Sequence, residues 1–218
     1  MTWQFITNGQ VDGKLYEKNL NVYNDLMNTC LDTGAYCMID LHNFGRYDDG
    51  IIGQGGPSDE VFAGLWSQFA TEYAKNDKVV FGLMNEPHDL DIKLWAKSCQ
   101  AAVTAIRKAG AKKHLILLPG TNFASAETFV STGSAEALAA IENPDGTTDG
   151  LLLDLHKYLD INNSGTHVEC TTDNVEGFKT IATWLRKNKR QAMVSETGAS
   201  MDPTVRSVQV GYYLQIGC

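Results

Sequence analysis

The 218-residue sequence lacks the features of membrane-spanning and of targeted chains. No apolar run approaches the roughly 18 residues that a membrane-spanning helix requires. The first residues, MTWQFITNGQ, do not have the charged, apolar and cleavage regions of a signal peptide. The sequence therefore predicts no membrane span, and it carries no targeting information of its own.

Basic residues are also scarce. There are 18 lysines and arginines against 26 aspartates and glutamates, for a net charge of −8. The one basic cluster, residues 186–190, is typical of a solvated helix end. Nucleic acids and anionic membranes are therefore not expected partners. The 43% of apolar residues, including 9% aromatics, is enough for a packed globular core.

The five cysteines are an odd number, so at least one stays unpaired if the others form bridges. Cys30 and Cys37 are the first and last residues of the segment CLDTGAYC, and we predict a disulfide between them. Cys99 is predicted to be a buried thiol on a helix. The triplet that begins at Asn162 is a glycosylation sequon, which together with the disulfide favours secretion. The alternative is that Cys30 is also a buried thiol and that the sequon arose by chance.

Short apolar runs alternate with amphipathic helical patterns along the whole chain. The apolar runs predict buried strands at residues 36–41, 79–84, 114–118, 151–155 and 191–194. Helical patterns occupy residues 20–31, 61–73, 94–106 and 178–185. Because no linker, low-complexity segment or repeat interrupts this order, we predict one catalytic domain over residues 1–218.

Such a series fits either a doubly wound sheet or a (β/α)8 TIM barrel. Each predicted strand is followed by polar residues, in the segments IDLHNF, LMNEPHD, LLPGTN, LDLHKY and VSETGA. In a barrel these ends meet at one mouth, where active sites lie. A doubly wound nucleotide-binding sheet would instead need a glycine-rich phosphate loop, and neither G-x-G-x-x-G nor a P-loop is present. The sequence therefore predicts an α/β fold of the barrel type.

The predicted barrel is incomplete. Eight β/α units typically take about 250 residues, and there is no room for a strand and helix before Trp3. After Glu196, we expect one amphipathic segment at most and a possible short final strand.

Two glutamates follow predicted strands. Glu86 lies in FGLMNEPHDL, directly after a buried strand, and Glu196 lies in VSETGAS. Two further predicted strands lie between the strands that these glutamates follow. The two carboxylates can therefore face each other across the mouth of a barrel. Glycosidases place a pair of carboxyl groups on either side of the scissile bond. A single glutamate in such a position is more often a surface or capping residue, but a facing pair predicts glycoside hydrolysis.

The triplet Asp-Leu-His occurs twice, at Asp40 to His42 and at Asp154 to His156. Residues two apart in a strand point to the same face, so each histidine shares a face with its aspartate. These histidines could contact the glutamates or a sugar. A zinc site built from the histidines, aspartates and glutamates, or two purely structural pairs, are the alternatives.

The predicted mouth also holds aromatic and amide side chains suited to sugars. Sugar rings stack on aromatic faces, and sugar hydroxyls bind polar groups. Candidate stacking residues are Phe44, Tyr47, Phe123 and Tyr158. Candidate polar contacts are Asn43, His88 and Asn122. Three tryptophans fall on apolar helix faces and are predicted to lie in the core: Trp66, Trp95 and Trp184.

These motifs resemble those of glycoside hydrolase family 5, and in particular of its fungal secreted endo-β-1,4-glucanases. The segment FGLMNEPHD is similar to the Asn-Glu-Pro signature of the family. The segments DLHNF, GIIGQGGP, DLHKYLD, NSGTHVECTT and VSETG match in order and spacing, so that the resemblance covers residues 3–198. It implies a (β/α)8 barrel, hydrolysis of β-1,4-glucan without a cofactor or metal, and a secreted, extracellular monomer.

The resemblance also implies roles for single residues. Glu86 would be the general acid/base and Glu196 the nucleophile of a retaining mechanism, with their carboxyl groups about 5 Å apart. Asn85 would hold the sugar 2-hydroxyl, and His42 and His156 would line the cleavage site. Tyr158 would hydrogen-bond the nucleophile.

The sequence departs from the family at both ends. The first strand, most of the second and its arginine, and the eighth strand with its tryptophan have no counterpart here. Phe123 and Tyr47 stand where relatives often have tryptophan. The alternatives to an active endoglucanase are therefore a truncated glucan-binding remnant with impaired catalysis, and a relative that acts on mannan or another β-glycan.

Overall fold

The computed structural model describes residues 1–200, and its centre is a parallel five-stranded sheet. The strands in chain order are β1 (Cys37–Asp40), β2 (Arg46–Tyr47), β3 (Gly50–Ile51), β4 (Val79–Gly82), β5 (Ile116–Pro119), β6 (Leu151–Tyr158) and β7 (Gln191–Gly198). The sheet order is β1-β4-β5-β6-β7, and every pair is parallel. Strands β2 and β3 form a separate antiparallel hairpin. Consecutive parallel neighbours in sequence order are the pattern of a (β/α) barrel.

Helices connect the strands of the parallel sheet. In chain order they are α1 (Trp3–Ile6), α2 (Glu17–Asp32), α3 (Asp59–Tyr73), α4 (Ile92–Lys108), α5 (Ser134–Ala139) and α6 (Val175–Asn188). Ser58 caps the start of α3, and Asp91 caps the start of α4, each accepting backbone N–H groups that have no partner within the helix. Within residues 1–200, no helix has the length and apolar character needed to cross a membrane.

All five predicted strands and all four predicted helices are present, with small shifts at their ends. Strands β6 and β7 continue past the apolar runs that predicted them, because their polar residues still pair across the sheet, as His156 does with Glu196. The short helices α1 and α5 and the β2–β3 hairpin were not predicted, since segments of two to six residues carry too little periodicity. The segment and final strand predicted after residue 200 lie outside the described residues.

The core is dominated by aromatic side chains between the sheet and its helices. Trp66 packs against Phe69 and edge-on against Phe81 of β4, and all three rings are fully buried. Trp95 is also buried, which confirms its predicted place, whereas Trp184 is only partly buried at the edge of the core. Burial of each large aromatic ring stabilises the fold by roughly 3 kcal/mol. This packing holds the strands rigidly and so fixes the positions of their polar ends.

The start of the chain lies beside β1. The amino group of Met1 donates to the carbonyl of Asp40, and the backbone N–H of His42 donates to the carbonyl of Met1. Trp3, to which the sequence assigned no place, is fully buried against Tyr47 and Phe62. The N-terminal segment therefore adds to the core next to the loop that follows β1.

A disulfide joins the end of α2 to the start of β1. The Cα atoms of Cys30 and Cys37 are 6.1 Å apart, within the range that a disulfide spans without backbone distortion. Cys99 is a free, fully buried thiol on α4, and burial raises its pKa well above the usual range. Cys170 is free and partly buried, and Cys218 lies outside the described residues.

Replacing Cys30 and Cys37 together by serine should lower the free energy of unfolding by about 2 to 3 kcal/mol. The bridge joins cysteines that are seven positions apart in the sequence. The loss of loop-closure entropy in the unfolded chain gives a stabilisation of about 2 to 3 kcal/mol for so short a loop. Urea unfolding measures it. Dithiothreitol should lower wild-type stability to that of the double variant and leave the double variant unchanged; equal wild-type stability with and without reductant would contradict the prediction.

Candidate active site

Glu86 and Glu196 lie close together at the carboxyl end of the sheet. Glu86 follows β4, and Glu196 lies within β7, with β5 and β6 between them. An oxygen of one carboxylate lies within 4.8 Å of an oxygen of the other. This agrees with the separation of about 5 Å expected of a retaining pair, and it is shorter than the roughly 6.5 to 9.5 Å of inverting pairs.

The backbone of Glu86 is held in an uncommon conformation. Its φ is 42°, in the left-handed region, which costs roughly 1 to 2 kcal/mol for a residue with a side chain. The neighbouring residues offset this cost. Asn85 is buried and its N–H donates to the carbonyl of Leu41, while the carbonyl of Pro87 accepts from the N–H of Phe123. These bonds on both sides fix the direction in which the carboxylate points.

His156 lies between the two glutamates. Its Nδ1 is 3.0 Å from Glu86 Oε1 and 3.6 Å from Glu196 Oε2. Burial lowers the pKa of His156, but the hydrogen bond with Glu86 and the negative charges of Asp154 and Glu196 outweigh burial and raise it overall. The imidazole is therefore suited to carry a positive charge between two carboxylates and to reduce their repulsion.

A loop from the neighbouring strand fixes the backbone of His156. The N–H of His156 donates to the carbonyl of Ala124, and the N–H of Ala126 donates to the carbonyl of His156. The pairing of β6 with β7 shifts register between Leu155 and His156. Such an irregularity re-aims a side chain at the end of a strand, and here it directs the imidazole to the glutamate pair.

Tyr158 donates its hydroxyl hydrogen to Glu196 Oε1 over 2.9 Å. Burial, and then the hydrogen bond with Glu196, raise the pKa of Tyr158 to about 12. The phenol therefore keeps its proton at any physiological pH and remains a donor to the carboxylate. This is the contact that the family resemblance implies for Tyr158.

Asp154 forms a second layer beneath His156. It is buried, its Oδ2 lies 3.8 Å from His156 Nε2, and it accepts a short hydrogen bond from the hydroxyl of Ser195. Burial raises its pKa to about 6, although His156 and Ser195 oppose the shift. Neither Asp154 nor Ser195 was a predicted site residue, but the repeated Asp-Leu-His triplet was the signal for Asp154.

Replacing Asp154 by asparagine should stabilise the protein at pH 7.5. The pKa of Asp154 is near 3.8 in the unfolded chain and about 6 in the folded protein. The folded state therefore binds more protons between pH 4 and pH 6, and wild-type stability falls as pH rises through this range. Above pH 6 the folded protein bears the full cost of a buried, ionised Asp154. At 1.36 kcal/mol per pKa unit the gain is roughly 2 to 3 kcal/mol at pH 7.5 and vanishes at pH 4. Urea unfolding at both pH values measures it.

The matched control for that experiment is Asp149→Asn, which alters an exposed carboxylate. It should change stability by less than about 0.5 kcal/mol at either pH. If Asp154→Asn brought no gain at pH 7.5, burial would not be the main influence on this carboxyl group.

Asp40 and His42 form the other pair that the triplets predict. His42 Nδ1 lies 2.8 Å from Asp40 Oδ2, which confirms that the two side chains share a face. The side chain of His42 is about half exposed, and its ring meets that of Phe44 edge-on at 5.4 Å. His42 therefore lies partly open to solvent at the carboxyl end of β1, and its hydrogen bond is with Asp40 and not with either glutamate.

A row of exposed rings continues from His42 across the strand ends. His88 stacks on Phe123 with ring centres 4.5 Å apart, and Phe44 meets His88 edge-on at 6.2 Å. Phe44 is 37% exposed and Phe123 is 44% exposed, so each offers a free ring face to solvent. Both have left-handed backbones, with φ of 55° and 60°. Sugar rings stack on surfaces of this kind.

Two predicted substrate contacts lie elsewhere. Tyr47 is only 7% exposed and packs edge-on against Trp3, so it belongs to the core and has no face free for a sugar. Asn43 accepts from the N–H of Trp3 and donates to Gln4, so both ends of its amide hold α1 in place. The sequence placed both residues at the mouth because they follow β1, but the N-terminal segment covers them.

A cavity of about 370 Å³ opens beside Glu86. Its lining consists of Glu86, Asn122, Phe123, Ser125, His156 and residues 162–164. The side-chain N–H of Asn122 donates to the hydroxyl of Thr128, so part of its hydrogen-bonding capacity is already used. Residues 162–164 were not predicted to be in the site, and the signals there were the sequon and the family segment NSGTHVECTT, which begins at Asn163. A larger cavity, of about 570 Å³, lies at the far end of α4, and its lining includes three lysines and two aspartates but neither Glu86 nor Glu196.

The zinc alternative can be tested against the spacing of the donor atoms. Among residues 1–200, one set of acidic and histidine side chains could hold an ion, namely Glu86, His156 and Glu196, with donor atoms within 4.8 Å of one another. A zinc ion bonded to three atoms at about 2.1 Å would require each pair to lie within about 4.2 Å. Two of the three pairs meet this limit, since His156 Nδ1 lies 3.0 Å from Glu86 Oε1 and 3.6 Å from Glu196 Oε2, whereas the donor atoms of the two glutamates lie within 4.8 Å of each other.

Comparison with known proteins identifies the class that this fold and site define. The sequence matches the family described as Cellulase (glycosyl hydrolase family 5) over residues 1–215, and the chain belongs to this family. The structures of its relatives are (β/α)8 barrels, which confirms the predicted fold class.

Similar proteins include a curated endoglucanase and two solved structures. Endoglucanase EG-II of Hypocrea jecorina is 52% identical over 197 residues, which cover 90% of this chain and 47% of that protein. The crystal structure of Cel5A (EG2) from Hypocrea jecorina superposes with a TM-score of 0.94 at 49% identity, covering 97% of this chain and 66% of that one. XacCel5A in complex with cellopentaose superposes with a TM-score of 0.88 at 31% identity, covering 99% and 70%. The present chain thus spans about half the length of the curated relative.

Proposed function

We propose that the protein is a retaining endo-β-1,4-glucanase that cleaves internal glucosidic bonds of cellulose or a related β-glucan. The observation that carries this proposal is the pair of glutamates within 4.8 Å of each other, bridged by His156, with Tyr158 bonded to Glu196. In this arrangement one carboxylate is backed by a phenol that stays protonated, and the other faces an open cavity. Family membership and the endoglucanase relatives support the same conclusion.

The proposed reaction has two steps. Glu196 attacks the anomeric carbon while the bond to the leaving oxygen breaks, and Glu86 gives that oxygen its proton. The product of this step is a glycosyl ester of Glu196. Glu86, now ionised, removes a proton from water, which attacks the same carbon and releases Glu196. Two inversions at one carbon give net retention, and no metal ion takes part.

The cavity and the exposed rings suggest where the glucan lies. Glu86 serves the leaving group, so the cavity beside it suits the sugars on the leaving-group side. Phe123 and Phe44 would provide stacking faces, and His88 lies between them. A relative binds cellopentaose, and its 31% identity supports an oligosaccharide of the same kind here. Asn85, buried next to Glu86, would hold the 2-hydroxyl of the cleaved sugar.

Secretion is part of the proposal. The disulfide between Cys30 and Cys37 is of the kind that persists in an oxidising environment. The side chain of Asn162 in the sequon is exposed, as a glycosylated asparagine must be. The extracellular setting also matches an insoluble polysaccharide substrate.

The experiment measures two quantities on the 218-residue chain: release of reducing ends from carboxymethylcellulose, and affinity for cello-oligosaccharides by calorimetry. The Glu86→Gln/Glu196→Gln double variant is the control that should bind without turnover. Turnover and binding together support the endoglucanase; binding alone indicates a glucan-binding remnant. Loss of turnover on chelation would indicate a metal-dependent hydrolase, and preferential cleavage of mannan would correct the substrate.

A further inference from the structure

The loop between β6 and α6, residues 159–174, is organised around one buried carboxylate. Asp160 is 3% exposed and lies two residues after Tyr158. Its oxygens accept hydrogen bonds of 3.1 to 3.2 Å from the backbone N–H groups of Gly165, Thr166 and His167 and from the side chains of Ser164 and His167. The loop therefore folds back onto Asp160 over a span of only seven residues.

Asp160 accepts these bonds as an anion. Burial would raise its pKa, but the hydrogen bonds from the Gly165 N–H and from His167 outweigh burial and lower the pKa far below its usual range. A charged acceptor of this kind forms stronger hydrogen bonds than a neutral amide does. Asparagine at the same position would offer one oxygen in place of two, and it could not hold all the donors.

The folded loop presses on the ring of Tyr158. Gly165 has a φ of 74°, and a Cβ atom built on it would lie 2.5 Å from Tyr158 Cε1. A Cβ atom built on Gly198 of β7 would lie 2.7 Å from the same atom. The ring of Tyr158 thus packs closely on two glycines, where no side chain would fit. This packing directs the hydroxyl at Glu196 Oε1.

The same loop forms a wall of the cavity beside Glu86. Residues 162–164 line that cavity together with Phe123. The hydroxyl oxygen of Ser164 lies 3.2 Å from Asp160 Oδ2 and 2.8 Å from Asn162 Oδ1, and the N–H of Ser164 donates to Asn162 Oδ1. One carboxylate therefore fixes both the ring behind Glu196 and the wall beside Glu86.

We propose that Asp160 is a positioning residue for the cleavage site: by folding residues 162–167 around itself, it holds Tyr158 against Glu196 and shapes the leaving-group side of the cleft. Asp160 touches neither glutamate, so it acts through Tyr158 and through residues 162–164. The catalytic half of this inference rests on the proposed function, whereas the coupling of Asp160 to Tyr158 does not.

The test compares Asp160→Asn with Asp145→Asn in the full chain. Asp145 is a matched control because it also accepts from a backbone N–H and a hydroxyl, both of Thr147, but it is exposed and far from the glutamates. With tyrosine labelled at ¹³Cζ, and Tyr158→Phe used to assign the signal, NMR reports ionisation of Tyr158. At pH 11 the wild-type and Asp145→Asn phenols should be mainly protonated, as a pKa of about 12 requires. The Asp160→Asn phenol should be mostly ionised.

Turnover of a soluble glucan adds a second measurement. Asp160→Asn should lower kcat at least tenfold, because the donor to Glu196 is misplaced, and should raise KM severalfold, because the cavity wall is loosened. Asp145→Asn should leave both constants unchanged. If the wild type shows no turnover, the proposed function fails. The titration of Tyr158 in Gly165→Ala then still decides whether the loop positions Tyr158, because that variant keeps the charge of Asp160, which itself raises the pKa of Tyr158.

Gly165→Ala provides a second variant in case Asp160→Asn does not fold, as judged by thermal unfolding. Its methyl group would strike the Tyr158 ring while Asp160 keeps its charge, so the titration of Tyr158 should move in the same direction as in Asp160→Asn. If Tyr158 titrated in both variants at the same pH as in the wild type, and kcat were unchanged, the proposal would be overturned.

Discussion

Replacing Glu196 by alanine is expected to lower turnover of a soluble β-glucan by at least about 10⁴-fold, because no other group can form the glycosyl ester. Tyr158 is positioned to donate to this carboxylate, and His156 lies 3.6 Å from it. The phenol of Tyr158 is a poor nucleophile in place of Glu196, because its pKa is raised to about 12 and it keeps its proton. Initial rates of reducing-end release measure the loss, and the control is Glu136→Ala, which removes an exposed glutamate from α5.

Azide makes the same variant diagnostic of the role of Glu196. With the carboxylate removed, azide can occupy the vacated space and attack the anomeric carbon from the face opposite the leaving group. Glu86 still protonates the leaving oxygen, so the product is an α-glycosyl azide, with one inversion. NMR of the anomeric proton identifies it. A β-glycosyl azide from this variant would reverse the roles assigned to the two glutamates.

Replacing Glu86 by alanine is expected to lower turnover of the same glucan by about 10²- to 10⁴-fold, the range for loss of a general acid/base. The loss should depend on the leaving group. A nitrophenyl cello-oligosaccharide needs no proton to leave, so its first step should remain fast and the glycosyl ester on Glu196 should accumulate. A burst of nitrophenol followed by a slow steady rate measures this, and mass spectrometry detects the ester.

Azide should rescue this second variant with the opposite stereochemistry. Here azide replaces water in the second step, which needs no general base for an anion, and attacks the glycosyl ester after the first inversion. The product is therefore a β-glycosyl azide. Equal loss of activity on natural and activated substrates, without a burst, would show that Glu86 is not the proton donor. His156, 3.0 Å from Glu86, would then be the next candidate.

Much of the fold could be predicted from the sequence because its signals are local. The apolar runs fixed the existence and order of all five strands of the parallel sheet, and helical periodicity located the four long helices. The polar residue that ends each run marks the mouth of a barrel, so Glu86 and Glu196 could be paired without knowledge of any distance. The Asp-Leu-His triplets likewise put each histidine on the face of its aspartate, as observed for Asp40 and His42.

The tertiary structure decided what depends on contacts between distant segments. Tyr47 follows a strand and looks like a cleft residue in sequence, but Trp3, more than forty positions earlier, covers it. His156 could be assigned to the mouth, yet its place between the glutamates depends on bonds to the loop at Ala124. Asp160 ends the family segment DLHKYLD, but its role had no signal in the sequence, because a loop folded around one carboxylate has no period. Strand and helix periodicity report which face of an element a residue occupies, whereas loop closure is set by hydrogen bonds and packing that form only when the chain is folded.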